Sequence, residues 1–391
     1  MKRPAVYLFA LLAFAGVAWG QVTASITGKV EDATGAPVGG ATVNVKSLET
    51  GALRSATTDQ SGEYSVPSLA LGQQQVTAEK SGFKEAVRTG VSLTVGQDAV
   101  VNLRLEVGDL KQQVTVVEEV PVINTTTASV SGVVGAREVK DLPLNGRSFD
   151  NLITLNPGAI SYQLKSSGTT TSYGNTFTVD GRRPADNIVL WNGVEYTGSS
   201  QLGITPGGAS EQLLGIDAIR EFNVLTDTYP AEYGKRAGAQ VEVVTQSGTN
   251  ELHGSLFEFL RNNDTDARNF FDGASTSPLR RNQFGGALGG PVKKNRLFQF
   301  GNYEGYRYVV AQTVASVVPD AQARQGLLPN ATTGVYSKVA NLNPAMLNYM
   351  SYWPAPNGAE LLSGGVASGT AFSYNSPRNT VREDFGTTRT D

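Results

Sequence analysis

Phe177-Thr-Val-Asp-Gly181, Trp191-Asn-Gly-Val194 and Gln240-Val-Glu-Val-Val-Thr245 lie in the stretch, residues 116–250, that decides the fold. The first two each close a short β-prone run with an Asp-Gly or Asn-Gly pair, and such pairs are typical of tight turns after strands. The third alternates as a strand does. Two short amphipathic helices accompany these strands, one over residues 136–142 and one beginning at Ser148. The stretch is therefore predicted to form a small α+β domain.

Composition narrows the function classes. The chain of 391 residues has 44 glycines and only 17% charged residues, which favours short strands and turns over long surface helices. Its formal net charge of -3 shows no excess of basic residues, so no nucleic-acid partner is expected. The absence of cysteine excludes disulfides, thiol catalysis and cysteine-ligated metals. The single histidine, His253, excludes any site that needs two imidazoles.

Residues 1–20 have the layout of a secretory signal peptide. Lys2 and Arg3 form its positive end, residues 6–18 are apolar, and Ala18 and Gly20 are the small residues before a cut at Gln21. The apolar run is shorter than the roughly 20 residues that a spanning helix needs. No later segment is apolar enough to span as a helix, so any membrane role after export is predicted to use β-strands.

Residues 21–107 alternate with period two and are broken by turn residues every eight to twelve positions, which predicts about seven strands in a sandwich. Two aspartates in these turns, Asp32 and Asp59, are open to interpretation as metal ligands, but their turn positions favour Asx turns. The segment contains the motifs Gly28-x-Val30-x-Asp32, Gly35-Ala-Pro-Val38, Thr58-Asp59-x-x-Gly62-x-Tyr64 and Lys80-x-Gly82-Phe83. These motifs resemble the carboxypeptidase regulatory-like domain, a transthyretin-like sandwich. No catalytic residues come with this resemblance, because it is to the accessory domain and not to the peptidase.

Residues 120–246 and the four residues that follow contain the motifs Leu142-Pro-Leu-Asn-Gly-Arg147, Val179-Asp-Gly181, Ile219-x-Glu221-Phe222, Ala231-Glu-Tyr-Gly234 and Val244-Thr-x-Ser-Gly-Thr-Asn250. These motifs resemble the plug domain of TonB-dependent outer-membrane receptors. Within that family they are similar to the Oar-like branch, in which a regulatory-like sandwich precedes the plug. The modules stand in the expected order along the chain.

Residues 108–119 link the two modules, and Val114, Thr115, Val116 and Val117 are their β-prone centre. An extended segment of this kind can add as a strand to the sheet edge of another protein. In the family named above, a short apolar segment at this position contacts the energising protein of the inner membrane. The resemblance therefore implies an energy-coupling strand, while an ordinary linker and the first strand of the plug are the alternatives.

Five carboxylates of the predicted plug are candidates for an enzymatic function: Asp180, Asp186, Glu195, Asp217 and Glu221. A catalytic pair would need two of them to converge. The sequence gives no sign of convergence, and turn or surface roles account for all five. We expect no catalytic residues, no cofactor and no metal site.

Residues 247–391 are predicted to begin an outer-membrane β-barrel. Leu252–Leu260 has about the length that crosses a membrane as a strand, Asn282–Leu288 is its predicted partner, and Arg296–Tyr308 follows. The even spacing in the third run predicts an aromatic, outward-facing side like the girdles of such barrels. The aromatic residues concerned are Phe298, Phe300, Tyr306 and Tyr308.

Other residues of this part have plainer interpretations. His253 is predicted to be a lone histidine of the barrel wall, and Asp264, Asp266 and Asp272 lack the glycine and bidentate glutamate of a calcium loop. Residues 309–373 are rich in Pro, Asn, Gly and Ser and are predicted to form long loops, with a helix over residues 345–352. Residues 382–391 predict another strand.

The predicted strands are too few to close a barrel. Three or four strands are predicted after residue 247, while a barrel that encloses a plug needs about 22. An open set leaves strand edges that hydrocarbon does not tolerate. We therefore expect the chain to be the N-terminal part of a longer receptor and not to transport alone.

The predicted fold class is mainly β, with an N-terminal sandwich, an α+β plug and the first strands of an outer-membrane barrel. The resemblance implies a receptor or transporter of the outer membrane. Its expected partners are a TonB-type inner-membrane energising complex, outer-membrane lipid, and a ligand that is an oligosaccharide, a peptide or a chelate. The alternative is an exported carbohydrate-binding protein, for which Tyr64 and Phe83 are the only aromatic residues of the sandwich.

Overall fold

The computed structural model describes residues 24–108, 113–117, 130–142, 144, 147–162, 176–196, 213–229, 233–268, 276–311 and 313–391. The predicted signal peptide and Asp272 lie outside these residues. The chain divides into two compact units. The first comprises Met1–Phe257, Gly285–Glu304 and Asp384–Asp391, and the second comprises Glu258–Phe284 and Gly305–Glu383.

The N-terminal domain is a sandwich of two sheets. One sheet has the order β4-β1-β7 with β8 also paired to β1, and the other has the order β3-β2-β5-β6-β9. Alternate residues of β1, β2 and β5 enter the core, where Ile26, Val43 and Val76 are fully buried, so the predicted period-two pattern is confirmed for these strands. The strands are β1 Ala24–Asp32, β2 Thr42–Ser47, β3 Leu53–Thr57, β4 Glu63–Leu69, β5 Gly72–Glu79, β6 Glu85–Leu93, β7 Asp98–Val100, β8 Leu103–Leu105 and β9 Gln113–Val117.

The predicted plug is built on a mixed five-stranded sheet of order β10-β15-β16-β13-β14, in which β13 and β16 are parallel. Its strands are β10 Val130–Gly135, β13 Ile188–Trp191, β14 Val194–Glu195, β15 Ile219–Asp227 and β16 Gln240–Thr245. A separate hairpin pairs β11 Ala159–Tyr162 with β12 Thr176–Val179. The helical elements are α1 Ala136–Asp141 and the 3₁₀ helices Phe149–Leu155, Pro184–Asp186 and Ile216–Ala218.

The glycine turns of the plug are confirmed. Asn192 and Gly193 have φ values of 50° and 81° and close the hairpin of β13 and β14. Positive φ at both central residues is the type I′ geometry that Asn-Gly favours, because its twist matches that of the paired strands. Asp180 and Gly181 have φ values of 49° and 72° and turn the chain after β12.

The helix predicted at Ser148 differs from expectation in type and in cap. Phe149–Leu155 is a 3₁₀ helix, and the Ser148 side chain does not cap it. Ser148 Oγ instead donates to the Asp150 carboxylate and accepts a hydrogen bond of 2.8 Å from Leu213 N. The apolar residues Phe149, Leu152 and Ile153 are buried as predicted.

The barrel strands form a sheet of order β17-β18-β19-β25. They are β17 His253–Asn262, β18 Leu279–Lys293, β19 Leu297–Ala311 and β25 Arg378–Thr390. All four occupy the regions predicted to be strands, and they are longer than the sequence pattern indicated. The 3₁₀ helix Asn263–Thr265 follows β17.

The prediction of long loops for residues 309–373 is wrong in part. The segment holds a sheet of order β20-β24-β23 and a small hairpin of β21 and β22. Its Gly-rich positions are turns between short strands, as at Gly364 and Gly365, which have φ values of 61° and 87° between β23 and β24. The elements are β20 Val314–Pro319, β21 Leu327–Pro329, β22 Tyr336–Lys338, β23 Glu360–Ser363, β24 Val366–Asn375 and the 3₁₀ helices Ala323–Gln325 and Pro344–Tyr352.

The outward-facing aromatic side predicted for β19 is also wrong. Phe298, Phe300 and Tyr306 are buried, with exposed fractions of 5%, 2% and 3%. They share the face of Glu304, whose carboxylate accepts a hydrogen bond from Gly215 N of the plug. Alternation defines two faces of a strand but does not tell which one is buried.

Other residues form the exposed apolar face of the first barrel strands. Leu256 of β17 is 92% exposed, and Leu288 and Val292 of β18 are 60% and 66% exposed. Tyr303 of β19 is exposed as well. Of the helices in the described residues, none is both long and apolar enough to cross a membrane.

Candidate functional site

The plug meets the first barrel strand at a buried ion pair. Arg147 Nη2 lies 2.9 Å from Asp217 Oδ2, and the two side chains are only 15% and 6% exposed. Ser255 Oγ of β17 donates to the other oxygen of Asp217 at 2.8 Å. The Arg147 guanidinium lies 4.2 Å from the ring centre of Phe257, also on β17, in cation–π geometry. Two residues of one barrel strand therefore hold both partners of a plug ion pair.

A second contact involves the turn before β15. Gly215 N donates to Glu304 Oε2 of β19 at 2.7 Å. Gly215 has a φ of 92°, and a Cβ at this position would lie 2.3 Å from the Phe385 ring. Phe385 also packs edge-on against Trp191 of β13, with ring centres 6.1 Å apart. Only glycine fits here, because both the backbone angle and the close ring exclude a side chain.

The end of β16 is fixed from two sides. Arg389 Nη1 of β25 donates to Thr245 O at 3.0 Å. Asn192 accepts a 3.0 Å hydrogen bond from Thr245 N and donates one of 3.0 Å to Thr245 Oγ1. The turn residue that shapes the β13–β14 hairpin thus also anchors the last plug strand.

The carboxylates considered for catalysis have separate partners. Asp217 pairs with Arg147 and Ser255, Glu221 accepts from Val95 N, and Glu195 pairs with Lys235 and Arg236. The hydrogen bond from Lys235 holds the pKa of the Glu195 carboxyl below its ordinary value. Asp180 and Asp186 contribute to turns through their backbone groups. These contacts are structural.

The candidate coupling strand is an edge strand of the sandwich. β9 pairs in parallel with β6, from Glu85 opposite Gln113 to Thr89 opposite Val117. β9 ends the five-stranded sheet, and no other strand of the described residues pairs with its outer edge. The extended conformation expected for Val114–Val117 is present, and their coupling role stays a prediction.

The turn aspartates of the sandwich have the role favoured by the sequence. Asp32 Oδ1 accepts hydrogen bonds from Thr34 N at 2.8 Å and Ala36 N at 2.9 Å. Asp59 Oδ1 accepts from Ser61 N at 2.8 Å and from Glu63 N at 2.9 Å. Both are Asx turns. The hydrogen bonds, first that from the Thr34 hydroxyl, lower the pKa of Asp32.

The histidine and the loop acids also have ordinary surroundings. The His253 ring stacks on Phe300 with ring centres 6.4 Å apart, and its Nδ1 lies 3.0 Å from Glu251 O. Asp266 forms an ion pair of 3.1 Å with Arg261. Within the ranges that the structure describes, no group of three or more His, Cys, Asp or Glu residues is placed to hold a metal ion.

The aromatic residues of the sandwich do not form an exposed platform. Tyr64 is 5% exposed, and its hydroxyl donates to Val101 O at 2.7 Å inside the core. Burial raises the pKa of the Tyr64 hydroxyl. Phe83 is partly buried and packs against the same core. The carbohydrate-binding alternative therefore lacks the stacking surface on which it depended.

Comparison with known proteins agrees with this architecture. Residues 25–106 match the family model of the carboxypeptidase regulatory-like domain, and residues 244–391 match that of the outer membrane beta barrel domain. The TonB-dependent transporter Oar of Myxococcus xanthus is 26% identical over 321 residues. The match covers 78% of this chain and 28% of that protein, so the chain spans less than a third of the length of this relative.

Solved structures give weaker likenesses. The siderophore receptor PirA from Acinetobacter baumannii is 20% identical with a TM-score of 0.34, over 48% of this chain and 29% of its own. The outer membrane transporter YddB from Escherichia coli is 13% identical with a TM-score of 0.37, over 47% of this chain and 27% of its own.

The class of protein follows from the two domain matches and the curated relative. They confirm the resemblance to TonB-dependent outer-membrane receptors. Within that class the chain is similar to the Oar-like type, in which a regulatory-like sandwich precedes the plug. The barrel-domain match assigns the chain to the outer membrane, and the predicted, mainly β fold class is confirmed. The relative is named as a transporter.

Sequence reasoning did not identify the contacts that hold the plug. Arg147 ends one of the plug motifs and Asp217 is among the five candidate carboxylates, yet their pairing depends on the fold. The one available signal was a charged residue inside an otherwise apolar or turn-forming motif, which often marks a buried partner. Glu304 and Arg220 carried the same signal within β-prone runs.

Proposed function

We propose that the chain forms the sandwich, the plug and the first barrel strands of a TonB-energised outer-membrane transporter. The proposal rests on the contacts of Asp217, which forms an ion pair with Arg147 of a plug motif and accepts a hydrogen bond from Ser255 of the first barrel strand. The order of sandwich, plug and barrel domain, and the similarity to a TonB-dependent transporter, support it. The ligand is an oligosaccharide, a peptide or a chelate that is bound from outside the cell.

The proposal includes a coupling role for β9. Its outer edge offers main-chain donors and acceptors to an incoming strand, which is the geometry of β-strand addition. Val114, Thr115, Val116 and Val117 would then contact the energising protein of the inner membrane through their backbone.

The experiment that tests the coupling role is cysteine crosslinking. The chain has no native cysteine, so single substitutions at Val114, Thr115, Val116 and Val117 are unambiguous. They are combined in cells with cysteines along the periplasmic domain of a TonB-type protein. The matched control is Arg54→Cys on β3, the opposite edge of the same sheet. Crosslinks at β9 but not at Arg54 support the proposal, and equal crosslinking at both edges, or none at β9, contradicts it.

A further inference from the structure

A loop of the sandwich contacts the plug through a bidentate ion pair. Glu49 lies between β2 and β3, and its two carboxylate oxygens accept hydrogen bonds of 2.8 Å and 2.9 Å from Arg220 of β15. The side chains are 27% and 19% exposed, so water screens the pair only partly. Bidentate pairs between arginine and a carboxylate are among the strongest and most directional contacts in proteins.

The neighbouring plug residue makes a second contact with the sandwich. Glu221 Oε1 accepts a 2.6 Å hydrogen bond from Val95 N, in the turn after β6, and Glu221 is only 7% exposed. Successive strand residues normally point to opposite faces. The register of β15 against β16 shifts between Ile219 and Glu221, however, so Arg220 lies at a bulge. A bulge redirects side chains, which lets both neighbours reach the sandwich.

Apolar packing and a glycine support these polar contacts. Val244 of β16 is 4% exposed and belongs to the hydrophobic core of the sandwich. Gly72 has a φ of 101°, and a Cβ there would lie 2.2 Å from Arg220 Nη2 and 2.2 Å from Glu49 Oε1. The sandwich therefore leaves space at Gly72 for the ion pair, and its core includes a plug side chain.

The same sandwich loop also contacts the start of the barrel. Asn250 N donates to Glu49 O at 2.9 Å. Asn250 and Asn295, in the turn between β18 and β19, exchange two hydrogen bonds of 2.8 Å and 2.9 Å. Gly51 lies directly against Asn295, where a Cβ would come within 2.5 Å of its side-chain oxygen. The loop between β2 and β3 thus contacts β15 of the plug, the segment before β17 and the turn between β18 and β19.

We propose that the sandwich is an intramolecular clamp on the plug. Glu49 and Val95 hold β15 at Arg220 and Glu221, and the Glu49–Arg220 pair must break before β15 moves relative to the barrel turn at Asn295. The inference rests on the proposed function in so far as transport requires the plug to move. The clamp itself is a property of the resting chain and is measured without any energising partner.

Hydrogen–deuterium exchange of the full chain in detergent micelles tests the clamp. Glu49→Gln is expected to raise the exchange rates of the Ile219–Asp227 amides roughly 10- to 100-fold, since a hydrogen-bonded pair with a charged partner is lost. The amides of β1 and β4, in the other sheet of the sandwich, keep their rates. The matched control is Glu31→Gln, which removes an exposed ion pair of 3.4 Å with Lys29 in the same domain and should leave β15 unchanged.

Exchanging the charges of Glu49 and Arg220 provides a second test of the clamp if a single variant misfolds. Glu49→Arg and Arg220→Glu should each release β15, and the double variant should restore at least part of the protection because it rebuilds the pair. Unchanged exchange of β15 in Glu49→Gln, or a double variant no better protected than the two single ones, would overturn the clamp. Crosslinking at β9 can fail while the clamp persists, so the two proposals fail separately.

Discussion

Arg147 and Asp217 are 70 residues apart in sequence and form a 2.9 Å ion pair that both side chains make while largely buried. Ser255 and Phe257 of β17 contact the two partners, one by a hydrogen bond and one through its ring. A buried charge is costly without its partner. The pair therefore couples the folding of the plug to the placement of the first barrel strand.

Removal of Asp217 should destabilise the plug strongly. Asp217→Ala leaves the Arg147 guanidinium without its carboxylate in a largely buried site, and the expected loss in the free energy of unfolding is roughly 3–5 kcal/mol. Urea unfolding followed by tryptophan fluorescence measures it. Glu106→Ala is the matched control, because the Glu106 side chain is 51% exposed in its pair with Lys84, and its loss should stay below about 1 kcal/mol. Equal losses in the two variants would refute a structural role for the buried pair.

The β13–β14 turn should be sensitive to a methyl group. Gly193 has a φ of 81°, and the left-handed region costs a residue with a Cβ roughly 1–2 kcal/mol. Gly193→Ala should therefore lower the free energy of unfolding by about that amount, as measured by thermal or urea unfolding. Gly301→Ala is the control, since that glycine has open space around its Cβ position and no positive φ. A Gly193 variant as stable as the Gly301 variant would show that the turn tolerates another geometry.

Glu221 should make stability depend on pH. Burial raises the pKa of its carboxyl above the ordinary value of 4.5, outweighing the lowering effect of Arg220. A raised folded pKa means that the unfolded chain releases the proton first, so this contribution is complete below about pH 4.5 and is lost as pH rises through the folded pKa. Glu221→Gln keeps an acceptor for Val95 N and removes the titration.

Unfolding free energies between pH 4 and pH 8 check this prediction. The wild-type chain should lose stability relative to Glu221→Gln as pH rises across that interval. A difference between the two proteins that is constant with pH, or one that grows in favour of the wild type, would contradict the assigned direction of the pKa shift.

Tyr64 should act as a core residue. Tyr64→Phe removes the 2.7 Å hydrogen bond to Val101 O in a buried site, and the expected cost is about 1–3 kcal/mol. Tyr352→Phe is the control, since Tyr352 is 82% exposed and the change should stay within about 0.5 kcal/mol. The carbohydrate-binding alternative instead predicts a Tyr64 variant of unchanged stability that has lost glycan binding.

Local signals made much of the fold predictable. Asn192-Gly193 fixed a hairpin, alternation located most strands, and the turn aspartates Asp32 and Asp59 could be recognised from their spacing. These features depend on residues close in sequence, and their physics is contained in a short window.

Two kinds of feature could not be predicted from the sequence: contacts between residues far apart in the chain, and which of the two faces of a strand is buried. Glu49 and Arg220 are 171 residues apart, and no local pattern specifies their pairing. The period-two alternation of β19 is present, but it does not tell which face is buried, and the buried face is the one on which Glu304 accepts a hydrogen bond from Gly215 of the plug. The strands within residues 309–373 are hard to recognise because most of them are short and Pro, Asn, Gly and Ser recur between them.

The proposed function predicts that the exposed apolar face of the first barrel strands contacts lipid in the outer membrane. Leu256→Cys of β17 and Leu53→Cys of the sandwich replace leucines that are 92% and 60% exposed, in a chain without native cysteine. Each variant is labelled with a fluorescent maleimide in isolated outer membranes that contain brominated lipid. Strong quenching is expected at residue 256 and little at residue 53. Equal fluorescence at both positions, with the protein recovered in the soluble periplasmic fraction, would contradict it.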